Sequence, residues 1–281
     1  MRRSHNKTIF GIIALIVVAL LAWFSFGPKN SHQAAKTVTI GVVGQTSEDQ
    51  KIWDSVAETA KKKYGITIKI KNFTDYNQPN KALESGDIDL NAFQHYAFLK
   101  AWNKANKTNI VSIGDTYLAP IRLYSKKYKK LSDLPDGATI AIPNDASNES
   151  RALYLLKNAG LITLKSGNAL KTVADIKENK KNLKIKEVAA DQAARALASV
   201  DAAVINNSFA VPAKLGDKET LFIEPINKDS REWVNFIAAT AKNKNNKTYL
   251  DVVKAFQTEK TKKLVKKLYG NSEVTAWGIK F

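Results

Sequence analysis

Strand-like apolar runs alternate with amphipathic helical patterns along most of this 281-residue chain, and no other feature constrains its fold as strongly. Val38–Val43 and Ile66–Ile70 have the composition of buried strands, and a helical pattern over Gln50–Tyr64 separates them. A helix from Gln78 to Glu84 and a strand at Ile88–Asn91 continue the series. This order predicts an α/β fold in which helices are layered on parallel strands.

A second series of the same kind follows further along the chain. Its predicted elements are the strand Thr139–Ile142, the helix Asn148–Ala159, the strand Leu183–Val188, the helix Gln192–Leu197 and the strand Ala202–Ile205. Two similar α/β units predict two lobes.

Extended apolar segments at Thr116–Ser125 and Val234–Thr240 fit crossings from one lobe to the other and back. We therefore expect residues 37–120 and 234–281 to form lobe I, and residues 121–233 to form lobe II. The tail Lys247–Tyr269 is predicted to be helical and lysine-rich. Its apolar residues lie near one face and are interpreted as packing surface: Leu250, Val253, Phe256, Leu264 and Leu268.

The chain starts with a basic segment, residues 1–8, before an uncharged apolar run from Ile9 to Phe26. This run approaches the length needed to cross a bilayer, and basic residues on its N-terminal flank favour keeping that end in the cytoplasm. It is apolar on every side, which disfavours the alternative of an amphipathic helix buried in a cytosolic protein. We predict a signal anchor or signal peptide at residues 9–26 and a linker at residues 27–36.

An uncleaved anchor on the extracytoplasmic face of the cell membrane is favoured over a cleaved peptide. Small residues of the kind that mark a cleavage site do not sit cleanly after the apolar run, which ends in bulky rings. The sequence has no cysteine, so it can form no disulfide and can carry no lipid on a mature N-terminal cysteine.

The formal net charge of +18 predicts attraction to polyanions, so an envelope protein that binds anionic polymers is one alternative function. No recognised nucleic-acid-binding motif accompanies this charge. Enzyme classes find little support, because the sequence has neither a complete nucleotide-binding fingerprint nor a serine-nucleophile elbow. With His5, His32 and His95 as the histidines and no cysteine, we expect neither a metal site nor a cofactor.

Several segments match a known family in order and spacing. They are Phe73–Asn80, Ile88–His95, Leu134–Asp145 and Asp201–Asn206. With these segments the chain resembles, from Thr37 to its C-terminal end, the methionine-binding lipoproteins of bacterial ABC importers, the MetQ/NlpA family. The resemblance implies a two-lobed type II periplasmic-binding-protein fold that holds methionine in the interlobe cleft. It also implies delivery to an ABC permease in the membrane, without enzyme activity or nucleic-acid binding.

Arg151 is the residue expected to receive the ligand carboxylate. It lies near the start of the helix predicted from Asn148, where a guanidinium and backbone N–H groups can act together on an anion. Taken alone, Arg151 fits a pair with surface acids at least as well. The match of Asn148–Leu153 to the family pattern N-E-x-R-A-L implies the ligand role.

Aromatic residues are expected to surround the ligand side chain. Tyr76, Phe93 and His95 match family positions that line the pocket, and Phe98 follows them in the chain. Rings of this kind suit a polarizable thioether, which gains from contacts between sulfur and a ring. Many relatives carry tyrosine at Phe98, so we expect a more apolar pocket in this chain.

Asn206 and Asn235 are the candidates for the remaining polar contacts of a zwitterion. Asn206 closes the strand Ala202–Ile205 and offers an acceptor and two donors, with a helix-capping role before Ser208 as the alternative. Asn235 is a candidate of the same kind on the returning segment. The stretch Gln45–Gln50 departs from the family pattern, which keeps a related amino acid or a methionine dipeptide open as the ligand.

Overall fold

A computed structural model describes residues 36–167, 170–270 and 272–279 of the chain. The predicted basic segment and apolar run, residues 1–8 and 9–26, lie outside these ranges, as does nearly all of the linker. None of the described helices is both long enough and apolar enough to cross a membrane.

The first of two five-stranded sheets combines parallel and antiparallel pairing. Its strands are β1 (Lys36–Val43), β2 (Ile66–Phe73), β3 (Leu90–Asn91), β4 (Ile110–Asp115) and β13 (Phe236–Thr240), in the spatial order β2–β1–β3–β13–β4. Strand β1 pairs in parallel with β2 and β3, whereas β13 runs antiparallel to β3 and β4.

The second sheet is built in the same way. Its strands are β6 (Arg122–Tyr124), β7 (Thr139–Pro143), β10 (Lys184–Val188), β11 (Ala202–Ile205) and β12 (Thr220–Ile223), in the spatial order β10–β7–β11–β6–β12. Strand β7 is parallel to β10 and β11, and β6 is antiparallel to β11 and β12. Two further antiparallel pairs join β5 (Tyr117–Leu118) to β14 (Val274–Thr275) and β8 (Thr163–Leu164) to β9 (Ile176–Glu178).

The prediction of an α/β fold is confirmed, but the prediction of parallel strands holds for only part of each sheet. The extended segment after β4 leads into β6 of the second sheet, and the returning segment leads into β13 of the first. Both strands thus come from segments that pass between the two sheets, and both pair antiparallel with their neighbours.

The longer helices pack on the sheets, and their ends are set by capping residues. The helices are α1 (Ser47–Tyr64), α2 (Gln78–Ser85), α3 (Tyr96–Asn106), α4 (Ala146–Asn158), α5 (Ala193–Ala196), α6 (Asn207–Ala210), α7 (Lys247–Phe256) and α8 (Glu259–Tyr269). Helix α1 begins earlier than predicted because Thr46 and Asp49 form a capping box. Helix α4 also begins earlier, because the Asp145 side chain accepts from the backbone N–H of Asn148.

The prediction that the tail is helical is confirmed, and the structure adds a break that divides it into two helices. Helix α7 ends at Phe256, and the Thr258 hydroxyl caps α8 by accepting from the backbone N–H of Thr261. The predicted packing role of the apolar face is confirmed. Val253 and Phe256 are buried in the core of the first sheet, and Leu264 packs against the same core.

Candidate functional site

A cavity of about 1030 Å³, partly open to solvent, is lined by residues of both sheets. Parallel strands of each sheet end at it, which is where open α/β sheets place their ligands. All residues predicted for the ligand site line this one cavity: Tyr76, Phe93, His95, Phe98, Arg151, Asn206 and Asn235. The structure thus brings the whole predicted set together, while the contact of each residue with a ligand stays a prediction.

One wall of the cavity is aromatic. The ring of Tyr76 lies 5.8 Å from those of Phe93 and Phe98, and Phe93 and Phe98 are also 5.8 Å apart, measured between centroids. A further ring, Phe209 of α6, lies 4.9 Å from Tyr76. Phe93 and Phe98 are buried, and burial raises the pKa of Tyr76, so its phenol stays protonated. This wall can surround an apolar or thioether side chain.

His95 presents a neutral ring to the site. Its Nδ1 accepts a hydrogen bond of 3.1 Å from the backbone N–H of Phe98, which caps α3 and places the ring proton on Nε2. Nε2 donates to Oδ1 of Asn148 over 3.2 Å. Burial first, and then the Arg151 guanidinium, lower the pKa of His95 to about 3. The histidine is therefore a hydrogen-bond donor without charge at neutral pH.

Asn148 forms hydrogen bonds to residues that follow strands of both sheets. Its Oδ1 accepts from His95 on the side of the first sheet and from Nδ2 of Asn206 over 2.7 Å. Its Nδ2 donates to both carboxylate oxygens of Asp145. These contacts fix the Asn206 amide, which makes no capping hydrogen bond to α6 with its side chain. Oδ1 of Asn206 is buried without a partner among the described residues and is an acceptor suited to an ammonium group.

Arg151 is paired with Glu224, a largely enclosed acid that directly follows β12 of the second sheet. Its Nε and Nη2 donate to the two carboxylate oxygens of Glu224, and Nη2 also donates to the carbonyl of Ala119 over 3.0 Å. Both side chains are almost fully enclosed, at 4% exposure for Arg151 and 11% for Glu224. The guanidinium also stacks on the Trp233 ring at 4.9 Å.

The acid beside Arg151 is thus largely enclosed by the protein, unlike the surface acids considered from the sequence. Nη1 of Arg151 has no hydrogen-bond partner among residues 36–167, 170–270 and 272–279. This nitrogen is the part of the guanidinium that can still receive an anion.

Asn235 lies beside His95 on the returning segment. The two residues form an isolated antiparallel bridge. The backbone N–H of Asn235 donates to the carbonyl of Tyr117 over 2.8 Å, and its carbonyl accepts from the N–H of Thr116 over 2.8 Å. Its side chain is hydrogen-bonded to the Tyr117 phenol, whose pKa is raised first by burial. The position at the cavity fits a polar contact, and the segment that carries it is fixed at both backbone groups.

Glu273 is a buried acid in the cavity wall that sequence reasoning missed. Its Oε1 accepts from Nδ2 of Asn207 over 2.6 Å, and its Oε2 is buried without a partner among the described residues. Burial first, and then the nearby Asp49 carboxylate, raise its pKa well above the ordinary range, although the hydrogen bond from Asn207 acts in the opposite direction. The other titratable groups facing it are the phenols of Tyr117 and Tyr269.

Asn148 could have been found from sequence, but Glu224 could not. Asn148 lies three positions before Arg151, and residues with this spacing share a helix face. Glu224 follows an edge strand and is far from Arg151 in the chain, so no local pattern connects the pair.

Comparison with known proteins gives consistent matches over nearly the whole described chain. The family described as NlpA lipoprotein matches residues 38–277. A relative from Pasteurella multocida, described as a probable D-methionine-binding lipoprotein MetQ, is 40% identical over 276 residues, covering 96% of this chain and 98% of the relative.

Two solved structures have the same fold. The substrate-binding protein of a methionine transporter from Streptococcus pneumoniae is 48% identical with a TM-score of 0.81, covering 86% of this chain and 96% of that one. A nutrient-binding protein from Burkholderia cenocepacia, solved bound to methionine, is 43% identical with a TM-score of 0.81, covering 85% of this chain and 100% of that one. The mixed α/β fold with two sheets is therefore that of substrate-binding proteins.

We predict that Arg151→Met lowers the free energy of unfolding by about 3–5 kcal/mol, because it leaves the Glu224 carboxylate buried and unpaired. The double variant Arg151→Met, Glu224→Gln should recover most of this loss, since no uncompensated charge remains. Urea unfolding of the ligand-free protein measures both. A double variant no more stable than the single one would show that the pair does not carry the effect.

The raised pKa of Glu273 predicts that stability falls as the pH rises. The unfolded chain loses this proton near the ordinary value of 4.5, whereas the folded chain keeps it to a higher pH. Between the two pKa values the folded state binds more protons, so the free energy of unfolding decreases as the pH rises above the ordinary value of 4.5.

Glu273→Gln should remove part of this decrease, and Glu84→Gln, an exposed control, should not. Urea unfolding at several pH values tests the comparison. Parallel pH profiles for the parent and both variants would contradict the assignment.

Proposed function

The chain belongs to the NlpA lipoprotein family, and on that premise we propose that it binds methionine outside the cytoplasm and presents it to an ABC import permease. The observation that carries the proposal is one cavity with a polar end and an aromatic wall. Arg151, His95 and Asn206 form the polar end, and the rings of Phe93 and Phe98 belong to the wall. Similar proteins are described as binding methionine, and one was solved with it bound.

The polar end has complementary groups for both charges of an amino acid. Nη1 of Arg151 is a charged donor for the carboxylate. Oδ1 of Asn206 is a buried acceptor for the ammonium group. The His95 ring contributes no positive charge, because its pKa is lowered to about 3. A zwitterion can therefore be buried without leaving a net excess of one charge beside the ligand.

The aromatic wall accounts for the choice of side chain. The rings of Tyr76, Phe93 and Phe98 line the cavity at mutual centroid distances of 5.8 Å, and Phe209 contacts Tyr76 at 4.9 Å. A thioether is flexible and polarizable, and it gains from contacts with ring edges in such a setting. The function requires binding and release but no chemical turnover.

We also propose how the chain divides. Residues 37–120 and 234–281 act as lobe I, residues 121–233 act as lobe II, and the paired segments at Tyr117 and Asn235 join them. Each sheet has its own buried apolar cluster, which supports two bodies that move against each other. The apolar run Ile9–Phe26 is proposed to hold the protein at the outer face of the cell membrane.

The function is tested by isothermal titration calorimetry of the purified protein after bound ligand has been removed. The solutes are L-methionine, D-methionine, a methionine dipeptide and alanine. Methionine should bind, and at about a hundred times its dissociation constant it should stabilise the fold by roughly 2.7 kcal/mol. Phe93→Ala should weaken methionine by about 1–3 kcal/mol and weaken alanine less, because the lost contacts are with the side chain.

Phe222→Ala is the matched control, since this half-buried ring packs on the core of the second sheet, outside the cavity lining. No binding and no thermal shift with any of these solutes would refute the proposed function. Equal losses for methionine and alanine in Phe93→Ala would refute the role of the aromatic wall.

The anchor is tested on the protein isolated from membranes. If the apolar run is retained, N-terminal sequencing should start at or near Met1, and high salt should not release the protein. A mature N-terminus near Ala34–Lys36 would show cleavage and would contradict the anchor while leaving export intact.

A further inference from the structure

The short helix α6 connects the ligand site to the opposite lobe. It starts directly after Asn206, whose amide lies at the polar end of the cavity, and it belongs to the proposed lobe II. Its first residue, Asn207, donates from Nδ2 to Oε1 of Glu273 in lobe I over 2.6 Å. Its side chains Ser208 and Phe209 contact Tyr76 of lobe I, through a hydrogen bond and a ring contact at 4.9 Å. Three consecutive residues of α6 thus cross the cleft.

Gly44 of lobe I provides the surface on which α6 rests. It follows β1 with a φ of +65°, and a Cβ built on it would lie 2.0 Å from the carbonyl oxygen of Ser208 and 3.0 Å from its carbonyl carbon. Real Cβ atoms essentially never come this close to another heavy atom. Because the obstacle is backbone, no side-chain rotation relieves the clash. With any other residue at position 44, α6 must sit further from lobe I.

We propose that Gly44 and α6 form a latch that holds the cleft closed around its ligand. The backbone of α6 packs directly on Gly44, and the hydrogen bond from Asn207 to Glu273 holds the helix there. This inference rests on the proposed function. A ligand that binds Oδ1 of Asn206 adds a contact to the residue directly before α6, so occupancy of the site and docking of the latch are coupled through adjacent backbone. Gly44, Asn207 and Glu273 are positioning residues here.

A latch acts on the release of the ligand, and its effect on cleft closure separates it from a simple ligand contact. It forms after the ligand has entered, so losing it should speed dissociation while leaving association nearly unchanged. The apparent affinity falls in proportion to the population of the closed form.

The decisive variant is Gly44→Ala, and Gly65→Ala is its matched control. Gly65 has a φ of +68°, so alanine suffers the same backbone strain there, but nothing lies within 4 Å of the added Cβ. Both variants should lower the melting temperature of the ligand-free protein by similar amounts. Gly44→Ala should weaken methionine about tenfold or more, mainly through faster dissociation, and Gly65→Ala should bind like the parent.

Asn207→Ala tests the same latch without glycine strain. It removes the donor to Glu273 and should also speed dissociation. The effect should be smaller than that of Gly44→Ala, because α6 can still pack directly on Gly44. If Gly44→Ala and Gly65→Ala have equal dissociation rates, the latch is refuted.

Closure of the cleft can be measured separately from affinity, as the distance between two spin labels. Because the sequence has no cysteine, two introduced cysteines are the only sites that a thiol-specific label modifies. Lys62→Cys on α1 and Lys186→Cys on β10 are exposed positions, one in each proposed lobe. In the parent, methionine should enrich a short-distance population that Gly44→Ala lacks and Gly65→Ala retains.

The two proposals can fail separately in this experiment. A parent protein that does not bind methionine refutes the proposed function. The latch is then tested by comparing the spin-label distances of the ligand-free parent and the ligand-free Gly44→Ala variant. There, a short-distance population in the parent that is lost in Gly44→Ala supports the latch. The absence of such a population from the parent, or its persistence in Gly44→Ala, refutes it.

Discussion

The site depends on one buried cation. Arg151 lies inside the protein, where an unpaired charge would be strongly disfavoured, and Glu224 offsets it through two donors of the guanidinium. The pair ties α4 to the end of β12, and the carbonyl of Ala119 adds the segment that leads between the sheets. Three hydrogen bonds to Glu224 and Ala119 hold the guanidinium, and its Nη1 lies at the polar end of the cavity.

That cation determines the chemistry of its neighbours. It adds to burial in keeping His95 neutral, and a neutral ring whose Nδ1 caps α3 has Nε2 as its donor. Asn148 then receives His95 and Asn206 on a single oxygen, which orients the Asn206 amide with its own oxygen unpartnered. The direction of the His95 hydrogen bond thus follows from the neutral ring and the cap of α3, and the Asp145 carboxylate orients the Asn148 amide that accepts it. The aromatic wall begins where this network ends, so a ligand with one charged end and one apolar end fits in a single orientation.

The large positive charge of the chain plays no visible part in this arrangement. The cavity wall contains acids as well as Arg151, namely Asp49 and Glu273. The clustered lysines of α8, at positions 262, 263, 266 and 267, are exposed. The charge is therefore a property of the outer surface, and it is compatible with a receptor that works close to anionic lipid or polymer. It gives no reason to prefer a polyanion over a small solute as the ligand of the cavity.

The sequence by itself determined the α/β class and most element positions, because periodicity and caps are local properties that each segment carries. The residues that gather at the cavity were predicted mainly through the resemblance of their segments to a known family. The sequence did not determine the antiparallel strands β6 and β13, the break in the tail, the Glu224 partner of Arg151 or the contact of Gly44 with Ser208. Each ion pair, shared oxygen or close backbone approach of this kind joins segments remote in the chain. Their geometry exists only once both sheets are packed, since no local pattern specifies which distant group will meet a given side chain.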